Sequence, residues 1–347
     1  MTLMLDGAFT GDNLGDILLL AAILQKVKSE KVIVKCCNCV RLIKFIIPYL
    51  NGVKLKRVIL AKWCNPLIPP LPYVCLANEI IVVGGKYLGN LFEWMYLFIL
   101  TLLAKIIQRK ILFVSVGLYP GRTCTDIEES KTPILNKMLF KLVITLVDNI
   151  TVRGHVSKRV AESTTGRVVK IELDPLLNAP FFARSISEPE SYGYVVLVLK
   201  SLNTKYFSKL IANLIAVAKY LYNRTNYKIV CIDDHKKFLP ENLSLCGLIK
   251  IKSIGYEHSE NRFIIAEWQD ALKVLCNAVF ALIIGYHASI VAIKCNTPSV
   301  SILYELKIRE LEFLCRELLY CKNIKFYEPS ISEHHEIEKV IWNVHKE

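Results

Sequence analysis

Short, largely apolar and mostly β-branched runs recur down this chain, most of them stopping at glycine or a charged side chain, and they alternate with segments of helical period. Val32–Cys36, Glu79–Val83, Ile111–Val116, Asn149–Val152, Tyr194–Leu199, Lys228–Ile232, Ala278–Ile284 and Ser299–Leu303 are such runs. A strand with no polar alternation is buried on both faces, as in a parallel sheet covered by helices. Between the runs, apolar residues return every three or four positions, as at Ile17, Leu20, Ala21, Leu24 and Val27. Parallel strands need such crossovers, so the pattern predicts an α/β chain with doubly wound parallel sheets.

A chain of 347 residues is long for a single core. The stretch from Asn178 to Gly193 has two prolines, small polar residues and no period. The expected organisation is an N-terminal Rossmann-like domain over 1–178, a linker over 179–192, and a C-terminal Rossmann-like domain over 193–347, the two facing a cleft. The chain is 53% hydrophobic with a mean hydropathy of +0.37, which raises the question of a membrane span. Trp94–Ala104 is the most apolar stretch, but it stops at Lys105, short of the roughly 20 residues a span requires. It reads as a buried or membrane-touching helix. No signal-peptide pattern opens the chain, so a cytoplasmic protein is expected, with peripheral contact at the inner membrane face. Twelve cysteines in that setting predict mostly free, buried thiols, with Cys36, Cys37 and Cys39 read as a strand end and not as a metal nest. Lysine and arginine number 44 against 31 acidic residues, a net charge of +13 that favours anionic partners. The charges are scattered and no nucleic-acid-binding motif accompanies them, which argues against DNA or RNA.

Polar residues gather where the apolar runs end. In an open parallel sheet, ligands bind beyond the carboxyl ends of the strands. Gly11-Asp12-Asn13-Leu14-Gly15-Asp16 forms a glycine loop entering a helix, with Asn13 or Asp12 as cap and Asp16 either as a base or as a favourable charge in the first turn. Gly84 and Gly85 leave backbone amides open, and Lys86, Arg153 and Lys200 supply positive charge, although an exposed lysine at a turn is also simply solvated. Asp233, Asp234 and His235 read as a turn and helix cap, so no metal site is assigned. In the stretch from Ala281 to Leu314, His287 is suited to proton transfer or phosphate binding, or else it packs as a helix cap. Tyr304 walls the site or donates a hydrogen bond; Lys307 binds an anion or begins a solvated helix.

Several of these motifs, taken in order, resemble the polysaccharide pyruvyl transferase family. They are the opening Gly11–Asp16, Gly84-Gly85-Lys86-Tyr87-Leu88, Ser115-Val116-Gly117-Leu118-Tyr119-Pro120, Val152-Arg153 with Ser157, Asp174-Pro175, His287-Ala288, and Tyr304-Glu305-Leu306-Lys307. The resemblance implies two Rossmann-like halves as in GT-B glycosyltransferases. It also implies transfer of a pyruvyl group from phosphoenolpyruvate, a substrate with no further cofactor, to hydroxyls of a polysaccharide or lipid-linked glycan. His287 and Asp16 would be catalytic. Asn13, Gly84, Gly85, Arg153, Lys200, Tyr304 and Lys307 would bind substrate, with the acceptor on the N-terminal half and the donor on the C-terminal half. The sequence departs from the family pattern at Gly285, where an arginine is usual, at Gly154 and Ile17, where acids are usual, and at Glu305, where aspartate is usual. Without that arginine, Lys200, Lys86 or Arg153 would have to hold the donor's charge. Two other classes stay open on the residues: a GT-B glycosyltransferase using a nucleotide sugar, and a non-catalytic glycan-binding relative.

Overall fold

The computed structural model describes residues 1–7, 9, 14–50, 57–63, 65, 67–120, 133–179, 193–199, 214–219, 223, 227–233, 246, 263–265, 270–303 and 305–327. It divides into two compact units. The first comprises Met1–Gly11, Asp16–Ala179 and Glu305–Leu314; the second comprises Asp12–Gly15, Pro180–Tyr304 and Cys315–Glu347. The first unit thus reclaims a segment that lies in sequence between the last two strands of the second unit's sheet. Residues 180–192 of the expected linker lie outside the described residues, as do Asn13, Lys200, Tyr304, Asp234, His235, the apolar run 248–251, which suits a strand, and the amphipathic stretch 337–344, which suits a helix.

In the first unit, β1 (Thr2–Asp6), β2 (Lys31–Cys36), β3 (Val58–Lys62), β4 (Glu79–Val82), β6 (Lys110–Tyr119), β7 (Asn149–Val152) and β8 (Lys170–Ile171) form a sheet in the order β3-β2-β1-β4-β6-β7-β8, and β5 (Gly85–Tyr87) adds to the far end of β6. The pairings are parallel, with Leu3 opposite Val32 on one side and Glu79 on the other. The order reverses direction between β1 and β4, which makes that boundary the sheet's switch point. Helices α1 (Leu14–Lys26), α2 (Cys39–Ile46), α3 (Leu71–Leu76), α4 (Leu91–Ile106), α5 (Ile134–Leu146) and α6 (His155–Thr165) make the crossovers. α3 begins among the prolines of residues 66–72, with proline in its first turn, where the missing N–H costs nothing. The core joins Met4, Ile33, Ile80 and Phe113 of the strands to Trp94, Leu97 and Leu100 of α4 and Phe140 and Val143 of α5, with Trp94 and Phe140 edge to face at 4.9 Å. β6 is longer than its apolar run. Its pairing with β7 slips between Phe113 and Val116, where Ser115 takes φ 50°, and this bulge redirects the strand end toward Leu118 and Tyr119.

The second unit repeats the design. β9 (Tyr194–Leu199), β10 (Lys228–Asp233), β11 (Phe263–Ile265), β12 (Phe280–Ile283), β13 (Ser299–Ile302) and β14 (Ile324–Tyr327) run parallel in the order β11-β10-β9-β12-β13-β14, so its switch point lies between β9 and β12. α7 (Ala271–Cys276) and α8 (Tyr286–Cys295) flank β12, and α9 (Leu306–Leu314) belongs to the first unit. The fold class expected from the runs is the one observed. The cysteine expectation is corrected. Cys36–Cys39, Cys231–Cys246 and Cys276–Cys295 are bonded pairs, whereas Cys37, Cys75, Cys315 and Cys321 are the free cysteines among the described residues, and two of these four are exposed. Cys231–Cys246 and Cys276–Cys295 join thiols 15 and 19 residues apart that folding brings together, which spacing along the chain does not reveal.

Candidate functional site

At the carboxyl end of β12, Gly285 leads into α8 with φ 158° and ψ 139°, and His287 is that helix's second residue. The imidazole therefore stands at the switch point of the second sheet, beside the first turn of a ten-residue helix whose N-terminal dipole favours an anion. Its ring meets Tyr286 edge to face at 5.2 Å. Gly15, also of the second unit, lies against the imidazole so closely that a Cβ there would overlap Nδ1, Cγ and Cβ of His287. Glycine in the opening loop is thus a matter of room for this histidine. Ser289 holds the first turn from inside, its hydroxyl donating to the Gly285 carbonyl at 2.8 Å and sharing a 2.7 Å hydrogen bond with Ser301 of β13.

The switch point of the first sheet carries a polar group that periodicity does not disclose. Asp6 ends β1, is buried, and pairs with Lys35 of β2, whose Nζ also sits 4.1 Å above the Tyr96 ring of α4. Burial, then the charge of Asp6 and its approach to the hydroxyl, push the Tyr96 pKa far above its ordinary value, so Tyr96 remains a neutral donor. Asp6 Oδ2 and the Tyr96 hydroxyl are both shielded from water, yet neither makes a well-aligned hydrogen bond. Lys86, in β5, is buried and bonded to Glu93 at 2.8 Å. Burial draws its pKa down, but the carboxylates of Glu93, Asp6 and Asp16 together outweigh that and hold it raised. Asp16, in the first turn of α1, therefore belongs to this charge cluster. Gly84 takes φ 93°, a conformation that suits glycine, and Gly85 faces the Arg153 guanidinium, 3.1 Å from where a Cβ would stand.

Arg153 itself is enclosed. With Tyr119, Ser157, Asp174 and Glu310 it forms a polar knot whose members are all 2% exposed or less. Arg153 Nε donates to the Tyr119 hydroxyl at 2.8 Å, which donates to Glu310 Oε2 at 2.6 Å; Nη1 reaches Asp174 Oδ2 at 3.4 Å. Glu310, on α9, also accepts from the Ser157 backbone N–H at 3.0 Å and the Ser157 hydroxyl at 3.2 Å, placing a carboxylate at the N-terminus of α6. Gly154 has extended backbone that any residue adopts, but a Cβ there would collide with the Glu310 side chain. Glu310 thus occupies the place of the acid that the resembled pattern puts at 154. Among the candidate cations described, each has a carboxylate partner: Arg153 as above, Lys86 with Glu93, and Lys307 with Glu305 at 2.7 Å. Asp6, Lys35, Glu93, Tyr96 and Glu310 escaped the sequence reading; for Asp6 alone there was a signal, a carboxylate at the end of an apolar strand.

Comparison with known proteins places this geometry in context. The sequence model of the family described as Polysaccharide pyruvyl transferase matches residues 13–305. No curated protein sequence matches the chain. Among solved structures, a putative UDP-N-acetylglucosamine 2-epimerase from Listeria monocytogenes aligns over 100% of this chain and 88% of its own, with a TM-score of 0.64 and 10% identity. The UDP-GlcNAc 2-epimerase of Methanocaldococcus jannaschii, in complex with UDP-GlcNAc and UDP, gives 0.59 at 11% identity over 100% and 93%. Phytolacca americana UGT2, complexed with UDP-2fluoro-glucose and pterostilbene, gives 0.53 at 12% over 99% and 91%. At such identities the likeness is one of fold, the GT-B-like pairing of two parallel α/β sheets.

Proposed function

Since this chain belongs to the polysaccharide pyruvyl transferase family, we propose that it transfers a pyruvyl group from phosphoenolpyruvate to two hydroxyls of a sugar in a polysaccharide or lipid-linked glycan. The observation that carries this reading is His287, the family's histidine, at the second sheet's switch point and the start of α8. A phosphoenolpyruvate phosphate or carboxylate placed there would meet the positive end of the helix dipole as well as the imidazole. That helix terminus becomes important because Gly285 stands in place of the arginine, and the described candidate cations are engaged elsewhere.

The chemistry requires a proton on the methylene carbon, which leaves the adjacent carbon cationic. One sugar hydroxyl adds there and releases its proton. The second displaces phosphate, so two C–O bonds form, one C–O bond to phosphate breaks, and a cyclic ketal bearing a carboxylate results. His287 as imidazolium would deliver the first proton or steady the leaving phosphate. Asp16, in the charge cluster at the first switch point, would accept a hydroxyl proton.

Phosphate release from phosphoenolpyruvate, followed with and without sugar acceptors, tests this. Release should depend on acceptor, and His287→Ala should lower it by about 100-fold or more. Undiminished activity of that variant would remove the catalytic assignment. Thermal protection by a nucleoside diphosphate with none by phosphoenolpyruvate would favour nucleotide-sugar transfer instead.

A further inference from the structure

α4 and α5 cover the first sheet side by side and present an outer face unlike that of an ordinary surface helix, where charges are expected. α4 has 16 residues, and its two charged ones are both paired, Glu93 with Lys86 and Lys105 with Asp148. Trp94, Leu97, Leu100 and Ala104 face the core, while Phe92, Leu102 and Ile106 remain 59%, 41% and 67% exposed. α5 contains no acidic residue, and on it Ile134, Leu135, Met138 and Leu142 are 78%, 52%, 57% and 45% exposed, interleaved with exposed Lys137 and Lys141. Among the described residues, no carboxylate pairs with either lysine. A cavity of about 370 Å³ opens beside these side chains, between α5 and α6, with Ile134, Met138 and Val160 as walls and Lys137, Lys141 and Ser163 among its polar lining.

Seven large apolar side chains on adjoining helices, with Lys137 and Lys141 among them, exceed the scattered apolar exposure of ordinary surfaces. Such a face suits a bilayer interface, where apolar side chains enter the headgroup–acyl boundary and lysines reach anionic phosphates on long stems. A second copy fits it less well, because a two-fold pairing through α5 would set Lys137 and Lys141 near their own copies. No described helix is long and apolar enough to cross a membrane, so contact would be in the plane of the surface. We propose that the α4/α5 face docks on an anionic lipid bilayer, Lys137 and Lys141 meeting the lipid phosphates. This proposal rests on the surface alone and is independent of the reaction.

Flotation of the full chain with phosphatidylcholine vesicles, with and without phosphatidylglycerol, tests it. The chain should float with phosphatidylglycerol vesicles, and less as salt is raised. Ile134→Ser/Met138→Ser and Lys137→Glu/Lys141→Glu should each lower vesicle partition about tenfold or more while Tm is kept, since all four sites are exposed. Acceptor-dependent turnover with a soluble acceptor should be unaltered, which separates this test from that of the reaction. Failure of the wild-type chain to float, or flotation of the variants equal to wild type, would overturn the proposal. So would an equal loss on reversing Lys28 and Lys170 elsewhere on the surface, since bulk charge would then explain binding. Light scattering that showed a dimer dissolved by the α5 substitutions would assign the face to a second copy and end the membrane reading.

Discussion

Glu310 replaces at a distance what a neighbour in sequence would ordinarily provide. Its carboxylate satisfies Tyr119, Ser157 and the α6 N-terminus, and it stands 3.9 Å from Arg153 Nε. Removing one member of a buried charged group leaves the rest uncompensated, at a cost of roughly 3–5 kcal/mol. Glu310→Ala should therefore lower the unfolding free energy by about that much in denaturant titration. The same substitution empties the space that keeps residue 154 a glycine. Gly154→Glu should consequently destabilise the wild type by overpacking yet restore part of the loss in the Glu310→Ala chain, a coupling of opposite sign that a double-mutant cycle would measure. Arg153, Ser157 and Asp174 were legible in the sequence as members of ordered motifs. Glu310 was not, because a glutamate in a short helix of mixed composition looks like any solvated residue until its distant partners are folded around it.

At the scale of elements, the ends of β1, β5 and α4 form the charge cluster around Asp6, and two of its members bind their protons more tightly when folded. Lys86 contributes stability that is complete below its ordinary value of 10.5 and is lost as pH rises through its higher folded value. Tyr96, neutral in the folded chain, adds a loss of stability once the unfolded tyrosine ionises, above about pH 10.0. Stability measured from pH 9 upward should therefore fall steeply, with a limit of about 1.4 kcal/mol per pH unit for each group, and Tyr96→Phe should make the fall shallower. An alkaline limb unchanged in that variant would show that Tyr96 does not titrate in this way. The apolar strands were readable because burial on both faces leaves few polar residues in the run. β5, at three residues, was too short to carry any period, β14 has a lysine as its second residue that breaks the apolar run, and Asp6 and Tyr96 meet only once β1 and α4 are packed. On the α4/α5 layer, sequence marked α4 as unusually apolar, but it could not separate the side chains that enter the core from those that stay in water.

For the whole molecule, two similar halves were legible from two series of buried strands, and the first unit's longest segment ends at Ala179, next to the break in pattern. What could not be read is that Glu305–Leu314 belongs with the first unit, since composition does not say which core a short helix will join. A fragment ending at Ala179 should accordingly fail to unfold cooperatively, whereas the same fragment joined through a flexible linker to residues 305–314 should recover a cooperative transition by circular dichroism. Two fragments of equal stability would show that α9 is dispensable to that core. The return of α9 also constrains the timing of biosynthesis. Ser157 and Glu310 are 153 positions apart, and at roughly 5–20 residues per second the ribosome needs on the order of ten seconds to span that interval. Throughout that time the nascent first half must hold Arg153 without Glu310, so its final closure waits on synthesis of almost the entire second sheet.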